Sequence, residues 1–230
     1  MTIERYDFAD ADTLLDALAE KLGRTLAEAI ARRGTASLVV SGGRTPEALF
    51  GRLAGLDIDW AKVGVTLADE RWVPPSDPAS NEAMVRRTLL TGRAATAGFV
   101  PLYTGHATPE EGEADCAEAL RHLPRPFDAL ILGMGDDGHT ASLFPGAPTL
   151  AEALAGPAVC RAVRAPGAPQ PRITLTLPTL LESRRIHLLV TGAGKRAALE
   201  AALAAGPVEA MPVRAVLRQD RVPVEIHWAP

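Results

Sequence analysis

The chain has 230 residues, of which 47% are hydrophobic and 23% charged, and its formal net charge at pH 7 is −4. Fractions this close to the globular average exclude a disordered chain and a fibrous protein. The length is ordinary for one α/β domain, and we predict a single domain over residues 1–230. An acidic balance of this size gives no reason to expect a nucleic-acid partner.

The amino-terminal segment, MTIERYDFADADTLLDALAEKL, carries acidic residues throughout and has no short apolar core, so we do not interpret it as a signal peptide. The sequence also lacks a run of about 18 apolar residues, which argues against a membrane span. Cys116 and Cys160 have neither the spacing of a disulfide framework nor that of a metal site, and we expect two buried thiols. We therefore expect a cytoplasmic protein with no membrane partner. Separately, we expect either a monomer or a weak homodimer.

Apolar residues recur at helical spacing from Leu14 to Ile30 and predict one amphipathic helix over residues 13–33. We expect Thr13 to begin this helix and Gly34 to end it. The next run, ASLVV, is short and continuously apolar, as in a strand that is covered on both faces.

A glycine-rich turn, SGGRTP, follows that strand and opens a second predicted helix, with Thr45 as its cap and Pro46 at its first position. Gly42 and Gly43 would let successive backbone N–H groups turn inward, Ser41 would add a hydroxyl, and the helix start would attract an anion. These features favour a phosphate site. A tight turn with a helix cap, which needs only Gly43 and Thr45, is the structural alternative.

The same order of strand, turn and helix recurs along the chain. KVGVTL ends at ADERW, FDALIL at GMGDDGHT, and IHLLVT at GAGKRAALEAAL. A further helix is predicted to begin at Thr108, because Pro109 stands at its first position and Glu111 at capping-box spacing. RITLTLPTLL contains a strand-like run, and PVEIHW is predicted to be a closing strand. This alternation predicts an α/β fold with a mostly parallel sheet and helices on both faces. Because ligands bind at the carboxyl ends of parallel strands, the four turn motifs should converge on one site.

The charged motif ADERW places Asp69, Glu70 and Arg71 directly after a strand-like run. These groups could bind hydroxyls or orient a base. Ion pairs at strand ends are common, so a structural role is the stronger interpretation of this motif alone. The helix that follows offers further possible contributors: Asn81 and either Arg86 or Arg87.

The stretch GMGDDGHTASLFPG matches the dinucleotide pattern G-x-G-x-x-G at residues 133–138. A dinucleotide there would place its pyrophosphate against Asp136 and Asp137, which would repel it. The motif also lies past the middle of the chain, and we reject a dinucleotide site. The turn instead presents His139, whose imidazole suits a general base, with the Asp137 carboxylate beside it. The other histidines are expected to be surface or core residues: His106, His122, His187 and His227.

The motif GAGKRAAL is similar to a truncated P-loop, but Leu189 stands where the first glycine is required and Arg196 where a metal-binding Ser or Thr is required. We reject a nucleotide loop. Lys195, at a glycine-rich helix start, remains a partner for one phosphate group, and a solvated lysine is the alternative. Sequence spacing indicates no metal-ligand set, and G-x-S-x-G is missing, so we predict neither a metal nor a serine nucleophile.

Five motifs, in this order and over nearly the whole chain, resemble the lactonase members of the glucosamine-6-phosphate isomerase/6-phosphogluconolactonase family. They are SGGRTP, DERWVPPSDPASNEA, GMGDDGHTASLFPG, PRITLTLPTL and GAGKRAAL. The resemblance implies a Rossmann-like three-layer α/β/α fold, no cofactor, and hydrolysis of 6-phospho-D-glucono-1,5-lactone to 6-phospho-D-gluconate in the oxidative pentose phosphate pathway. A lactone is an activated ester, so one base and donors for the oxyanion would suffice.

Carried over residue by residue, the resemblance implies that His139 is the base that activates water, with Asp137 beside it. It implies that Lys195 binds the phosphate of this sugar-phosphate partner and that Arg71 and Arg172 contact the substrate. Further residues would line the phosphate or sugar end of the site: Ser41, Gly42, Gly43 and Thr45. Asp69 belongs to the same substrate region, and the division of roles among Asp69, Arg71 and Arg172 stays open.

Two other functions remain as alternatives. In the isomerase/deaminase members of the family, the resemblance implies a catalytic glutamate five residues after the histidine, where this chain has Phe144. Enolisation needs that additional carboxylate, which favours the lactonase. A sugar-phosphate-binding regulatory domain would be joined to a DNA-binding helix-turn-helix, but the helix predicted over residues 13–33 runs directly into the first strand.

Overall fold

A computed structural model describes residues 3–230 and contains a central seven-stranded sheet. From one edge to the other, the strands are β1 (Ile3–Asp7), β10 (Val224–Ala229), β9 (Ile186–Thr191), β6 (Ala129–Gly133), β2 (Ala36–Val40), β3 (Val63–Leu67) and β5 (Gly98–Val100). Neighbouring strands are all parallel. The predicted α/β class with a mostly parallel sheet is confirmed. Strand β1 was not predicted, because IERYD is half exposed and gains its order from pairing with β10.

Helices cover both faces of this sheet and complete a three-layer fold. They are α1 (Ala11–Arg33), α2 (Arg44–Ala54), α3 (Asn81–Thr88), α4 (Pro109–Ala119), α5 (Leu150–Ala155), α6 (Leu177–Leu180), α7 (Ala193–Leu203) and α8 (Val213–Arg218). Lys21 of α1 pairs with Glu225, whereas Arg196 of α7 lies over the ring of Trp228. Because side chains alternate along β10, residues 225 and 228 point to opposite faces, so α1 and α7 lie on opposite sides of the sheet.

A second, three-stranded antiparallel sheet consists of β4 (Asp69–Arg71), β8 (Arg172–Leu175) and β7 (Cys160–Val163). Its register pairs Arg71 with Arg172. The sequence predicted a strand-like run at RITL but not this separate sheet, because the three residues of β4 carry no apolar pattern. The small sheet therefore brings together two arginines that lie far apart in the sequence.

Two predicted helix starts are wrong. Helix α1 begins at Ala11 rather than at Thr13, because Asp10 is its cap and accepts a hydrogen bond from the Thr13 N–H at 2.7 Å. Helix α2 begins at Arg44, so Thr45 lies inside it, and the residue at the cap position is Gly43 with a φ of 117° and no side chain to bond the first turn. Only glycine adopts that φ without strain. The N–H groups at the start of α2 are therefore left without a side-chain cap.

The other helix boundaries discussed above are confirmed. Thr108 caps α4 with Pro109 in its first turn, and Gly34 ends α1 with a φ of 79°. Cys116 and Cys160 are both buried, as expected. None of the helices within residues 3–230 combines the length and the apolar character needed to cross a bilayer.

Candidate active site

A cavity of about 570 Å³ lies where β2, β6 and β9 end and the small sheet begins. The four turn motifs all contribute to its wall, which confirms that they converge. The predicted site residues that line it are Ser41, Gly42, Gly43, Thr45, Asp69, Arg71, His139, Arg172 and Lys195. Asp137 is outside this lining set and contacts the cavity through His139. Sequence reasoning missed part of the wall, including Ala11, Leu15 and Thr191.

The imidazole of His139 and the carboxylate of Asp137 form the central pair of the site. His139 Nδ1 lies 2.6 Å from Asp137 Oδ1, which also accepts the His139 backbone N–H at 3.1 Å. We assign the proton to Nδ1 because the carboxylate can only accept it. Nε2 is then unprotonated and can accept a proton from another molecule, and the imidazole is accessible, with 31% of its side chain exposed.

The glycines of GMGDDG shape the turn that carries this histidine. A Cβ at Gly135 would overlap the imidazole of His139 and crowd the carboxylate of Asp137. Gly138 has a φ of 78°, which favours glycine, and the Gly135 N–H closes the turn on the His139 carbonyl at 2.9 Å. The motif that matched a dinucleotide pattern therefore forms a tight turn around a histidine.

The turn SGGRTP forms another part of the cavity wall, at the start of α2. The Ser41 hydroxyl donates to the Ile131 carbonyl at 3.0 Å and ties β2 to β6, and the Thr45 and Thr191 hydroxyls lie 2.6 Å apart. A Cβ at Gly42 would overlap the side-chain amide of Asn81. The close approach of Asn81 therefore requires glycine at position 42.

Among the possible contributors from α3, only Asn81 lines the cavity. Its Nδ2 donates to the Asp69 carbonyl at 2.9 Å. Arg86 instead pairs with Glu82, and Arg87 with Glu47.

The motif ADERW divides between two environments because side chains alternate along β4. Asp69 and Arg71 line the cavity, and Asp69 Oδ2 accepts the Ser142 hydroxyl at 2.5 Å. Glu70 is fully buried elsewhere and accepts the N–H groups of Asn81 and Glu82, each at 2.7 Å. Burial raises the pKa of Glu70 to about 6. Glu70 therefore fixes β4 to the start of α3 and lies outside the cavity wall.

Positive groups outnumber carboxylates in the cavity. The cations are Arg44, Arg71, Arg172 and Lys195, and Asp69 is the one carboxylate among the described lining residues. Lys195 Nζ donates to the Met134 carbonyl at 2.7 Å, and Arg71 donates to the Ala79 carbonyl. Burial lowers the pKa of Arg172, although its guanidinium stays charged at neutral pH. A cavity with this balance suits an anionic ligand.

One group within residues 3–230 has metal-ligand proximity, and it lies in the sheet outside the cavity wall. Its members are His187, Glu225 and His227. Sequence spacing missed this group because its members meet only through the pairing of β9 with β10. Lys21 Nζ lies 2.5 Å from Glu225 Oε2, and Arg185 pairs with the other carboxylate oxygen. Since these cations already neutralise the carboxylate, we assign no metal to this group.

Comparisons with known proteins agree over the full length of the chain. A family model described as glucosamine-6-phosphate isomerases/6-phosphogluconolactonase matches residues 9–228. The chain is 46% identical over 233 residues to the 6-phosphogluconolactonase of Rhizobium meliloti (strain 1021), covering 100% of both chains. It is 44% identical over 230 residues to the 6-phosphogluconolactonase of Pseudomonas putida, covering 99% of this chain and 93% of that one.

Solved structures give the same result. A crystal structure of a 6-phosphogluconolactonase from Shewanella baltica OS155 matches with a TM-score of 0.98 and 45% identity, covering 100% of this chain and 98% of that one. A monomeric glucosamine-6-phosphate deaminase matches with a TM-score of 0.81 and covers 97% of each chain, but at 19% identity it shows a shared fold alone.

Proposed function

The chain belongs to the glucosamine-6-phosphate isomerase/6-phosphogluconolactonase family, and from that premise we propose that its cavity hydrolyses 6-phospho-D-glucono-1,5-lactone to 6-phospho-D-gluconate. This is the ester hydrolysis of the oxidative pentose phosphate pathway. The observation that carries the proposal is that the accessible imidazole of His139, on the wall of a cavity rich in positive charge, pairs with the carboxylate of Asp137 behind it.

His139 acts as the general base in this proposal. Its Nδ1–H is held by Asp137, and Nε2 takes a proton from a water molecule as the water oxygen bonds to C1 of the lactone. The Asp137 carboxylate stabilises the imidazolium that results. The ester bond from C1 to the ring oxygen then breaks, and the imidazolium returns the proton to that oxygen as it becomes a hydroxyl.

In this proposal the phosphate of the lactone binds between the starts of α2 and α7. Both helices begin after a glycine with positive φ, 117° at Gly43 and 109° at Gly192, and neither has a side-chain cap. The other helices of eight or more residues, α1, α3 and α4, are instead capped by the side chains of Asp10, Ser80 and Thr108. The free N–H groups and Lys195 in the first turn of α7 together suit a phosphate.

The phosphate also contributes to the chemistry from a distance. Because it is remote from C1, its binding energy positions the lactone without changing the reacting bonds. In this proposal Arg71, Arg172 and Asp69 contact the sugar or the phosphate from the small sheet, and Ser41, Gly42 and Thr45 line the end near α2.

We further propose that residues 1–230 act as one domain in the cytoplasm, as a monomer or weak homodimer and without a cofactor. The pairing of β1 with β10 supports a single domain, because it joins the two ends of the chain in one sheet. Light scattering of the purified protein at micromolar concentration measures the oligomeric state, and a stable tetramer would contradict this part of the proposal.

A coupled assay tests the main proposal. Glucose-6-phosphate dehydrogenase generates the lactone, and the appearance of 6-phosphogluconate is followed with its own dehydrogenase. We expect a rate that rises with the amount of this protein, and we expect His139→Ala to lower kcat by about 10²- to 10⁴-fold. Binding of 6-phosphogluconate should change little in that variant, because the phosphate contacts are intact.

The exposed His122 provides the matched control, and His122→Ala should leave kcat unchanged. A wild-type rate no higher than spontaneous hydrolysis would exclude the lactonase function. A His139→Ala variant as active as wild type would leave the function in place and remove His139 as the base.

A further inference from the structure

The ring of Phe144 contacts two planar groups of the cavity at once. The His139 imidazole stacks on it with ring centroids 4.1 Å apart and an angle of 26° between the planes. The central guanidinium carbon of Arg172 lies 5.1 Å from the same ring centroid. We propose that Phe144 is a positioning residue that orients both the base and the substrate-binding arginine. This inference rests on the proposed lactonase function.

The hydrogen bond to Asp137 fixes the His139 ring at one point only. It holds Nδ1, but a ring held at one nitrogen can still tilt and carry Nε2 away from the water that it must deprotonate. An aromatic face in offset contact restricts that tilt. Asp137 therefore sets the tautomer of His139, and Phe144 sets the plane of its ring.

Arg172 depends on Phe144 even more, because few polar contacts hold it. Its Nη1 lies 3.6 Å from Asp69 Oδ2, which is longer than a hydrogen bond, and its buried Nε has no hydrogen-bond partner among residues 3–230. Stacking on an aromatic face fixes a guanidinium plane without using its N–H groups. The guanidinium is therefore held in place while its terminal Nη groups remain available to the substrate.

The backbone before Phe144 is constrained by its conformation and by hydrogen bonds. Ala141 adopts a φ of 47°, a left-handed conformation that is rare for a residue with a Cβ. The Leu143 N–H donates to the Thr140 carbonyl at 2.9 Å, and the Thr140 hydroxyl donates to the Gly133 carbonyl at 2.8 Å. Strain of this kind persists where the surroundings enforce it. The turn thus fixes Phe144 to the end of β6, the strand that precedes the His139 turn.

Kinetics of three variants test the proposal. Phe144→Leu keeps an apolar side chain but removes the aromatic face, and Phe144→Tyr keeps the face. Phe99→Leu is the matched control, because Arg86 lies 5.0 Å from the Phe99 ring and neither residue lines the cavity. We expect Phe144→Leu to lower kcat about 10-fold through His139 and to raise KM about 5-fold through Arg172, with the other two variants within about twofold of wild type.

A loss of folded protein would lower the apparent kcat but leave KM unchanged, so the rise in KM separates positioning from a merely structural role. Proton NMR adds a reading that does not depend on activity. In wild type the Phe144 ring current should shift the His139 ring protons upfield, and Phe144→Leu should abolish that shift. His139→Asn identifies the resonances.

The inference would be overturned if Phe144→Leu had the same kcat, KM and His139 resonances as wild type. An active wild-type protein would in that case still support the proposed function. Wild-type protein without lactonase activity would instead refute the proposed function, and the NMR comparison would still report whether Phe144 holds the imidazole.

Discussion

Two of the groups that combine histidine with a carboxylate differ in their surroundings. His139 and Asp137 lie on a turn, with side chains 31% and 50% exposed, and their nearest atoms are 2.6 Å apart. His187, Glu225 and His227 lie inside the sheet with almost no exposure, and each imidazole is 3.4 Å from Glu225 Oε2. An imidazole can exchange protons with water only where water reaches it, so the first group suits catalysis and the second suits structure.

The two groups also differ in how their charges are compensated. Burial lowers the pKa of His187 to about 4, so this histidine is neutral at pH 7. Although burial alone would raise the pKa of Glu225, the neighbouring His187, His227 and Lys21 bring it well below its usual range. The buried carboxylate is therefore ionised and compensated by Lys21 and Arg185. Its contacts are internal to the protein, whereas His139 Nε2 is free to act on a ligand.

Asp137→Asn gives the largest expected effect in this comparison. The amide would still fill the space but could donate to Nδ1, which would favour the tautomer with its proton on Nε2 and remove the base. We expect kcat to fall about 10³-fold with KM little changed. Steady-state lactonase kinetics measure both constants.

Asp136→Asn is the matched control, since it removes the neighbouring charge in the same turn, and it should retain activity. Equal losses in Asp136→Asn and Asp137→Asn would mean that the turn needs negative charge in general rather than a carboxylate on Nδ1.

Gly135→Ala tests whether the position of the imidazole matters as much as its chemistry. The added Cβ would overlap the His139 ring, so the ring must move. A displacement of about 1 Å can cost about 10²-fold in rate, and we expect a loss of that size in kcat. Gly51→Ala is the control, because nothing lies within 4 Å of a Cβ there. A Gly135→Ala variant with wild-type kcat would show that the turn tolerates a shift of its histidine.

The two groups also show how far the sequence could predict this site. The motifs that follow strands are recognisable in the sequence, and the topology of a parallel sheet brings them together, so nine of the residues that line the cavity could be named in advance. The sequence could not show that Glu70 points away from the cavity while Asp69 and Arg71 line it. That alternation depends on β4 being a strand of the small sheet, which the sequence pattern does not predict. Thr45 was wrong as a cap because Gly43, with its positive φ, occupies the cap position and the helix starts two residues earlier than predicted.

Tertiary pairing explains the remaining omissions. His187 and Glu225 are 38 positions apart and meet only because β9 and β10 pair in that register. Phe144 was noticed as an apolar residue in place of a glutamate, but its contact with Arg172 depends on the antiparallel sheet that carries β8. The role of such residues depends on contacts with residues from distant parts of the sequence, so no short sequence motif identifies them.

The smallest expected effect concerns the buried group and the stability of the protein. The pKa of His187 is about 4 in the folded chain against an ordinary 6.5, so the unfolded chain binds more protons between these values and stability falls as the pH falls. This contribution is fully present above pH 6.5 and is lost towards pH 4. Between pH 7 and pH 5 we expect His187 to account for about 2 kcal/mol of the decrease in unfolding free energy.

Urea unfolding at pH 5, 6 and 7 measures this dependence in wild type and in His187→Leu, which removes the titrating ring. The decrease between pH 7 and pH 5 should be about 2 kcal/mol smaller in the variant. The exposed His122→Leu is the control and should keep the wild-type dependence. An identical decrease in His187→Leu and wild type would show that His187 is not held neutral in the folded protein.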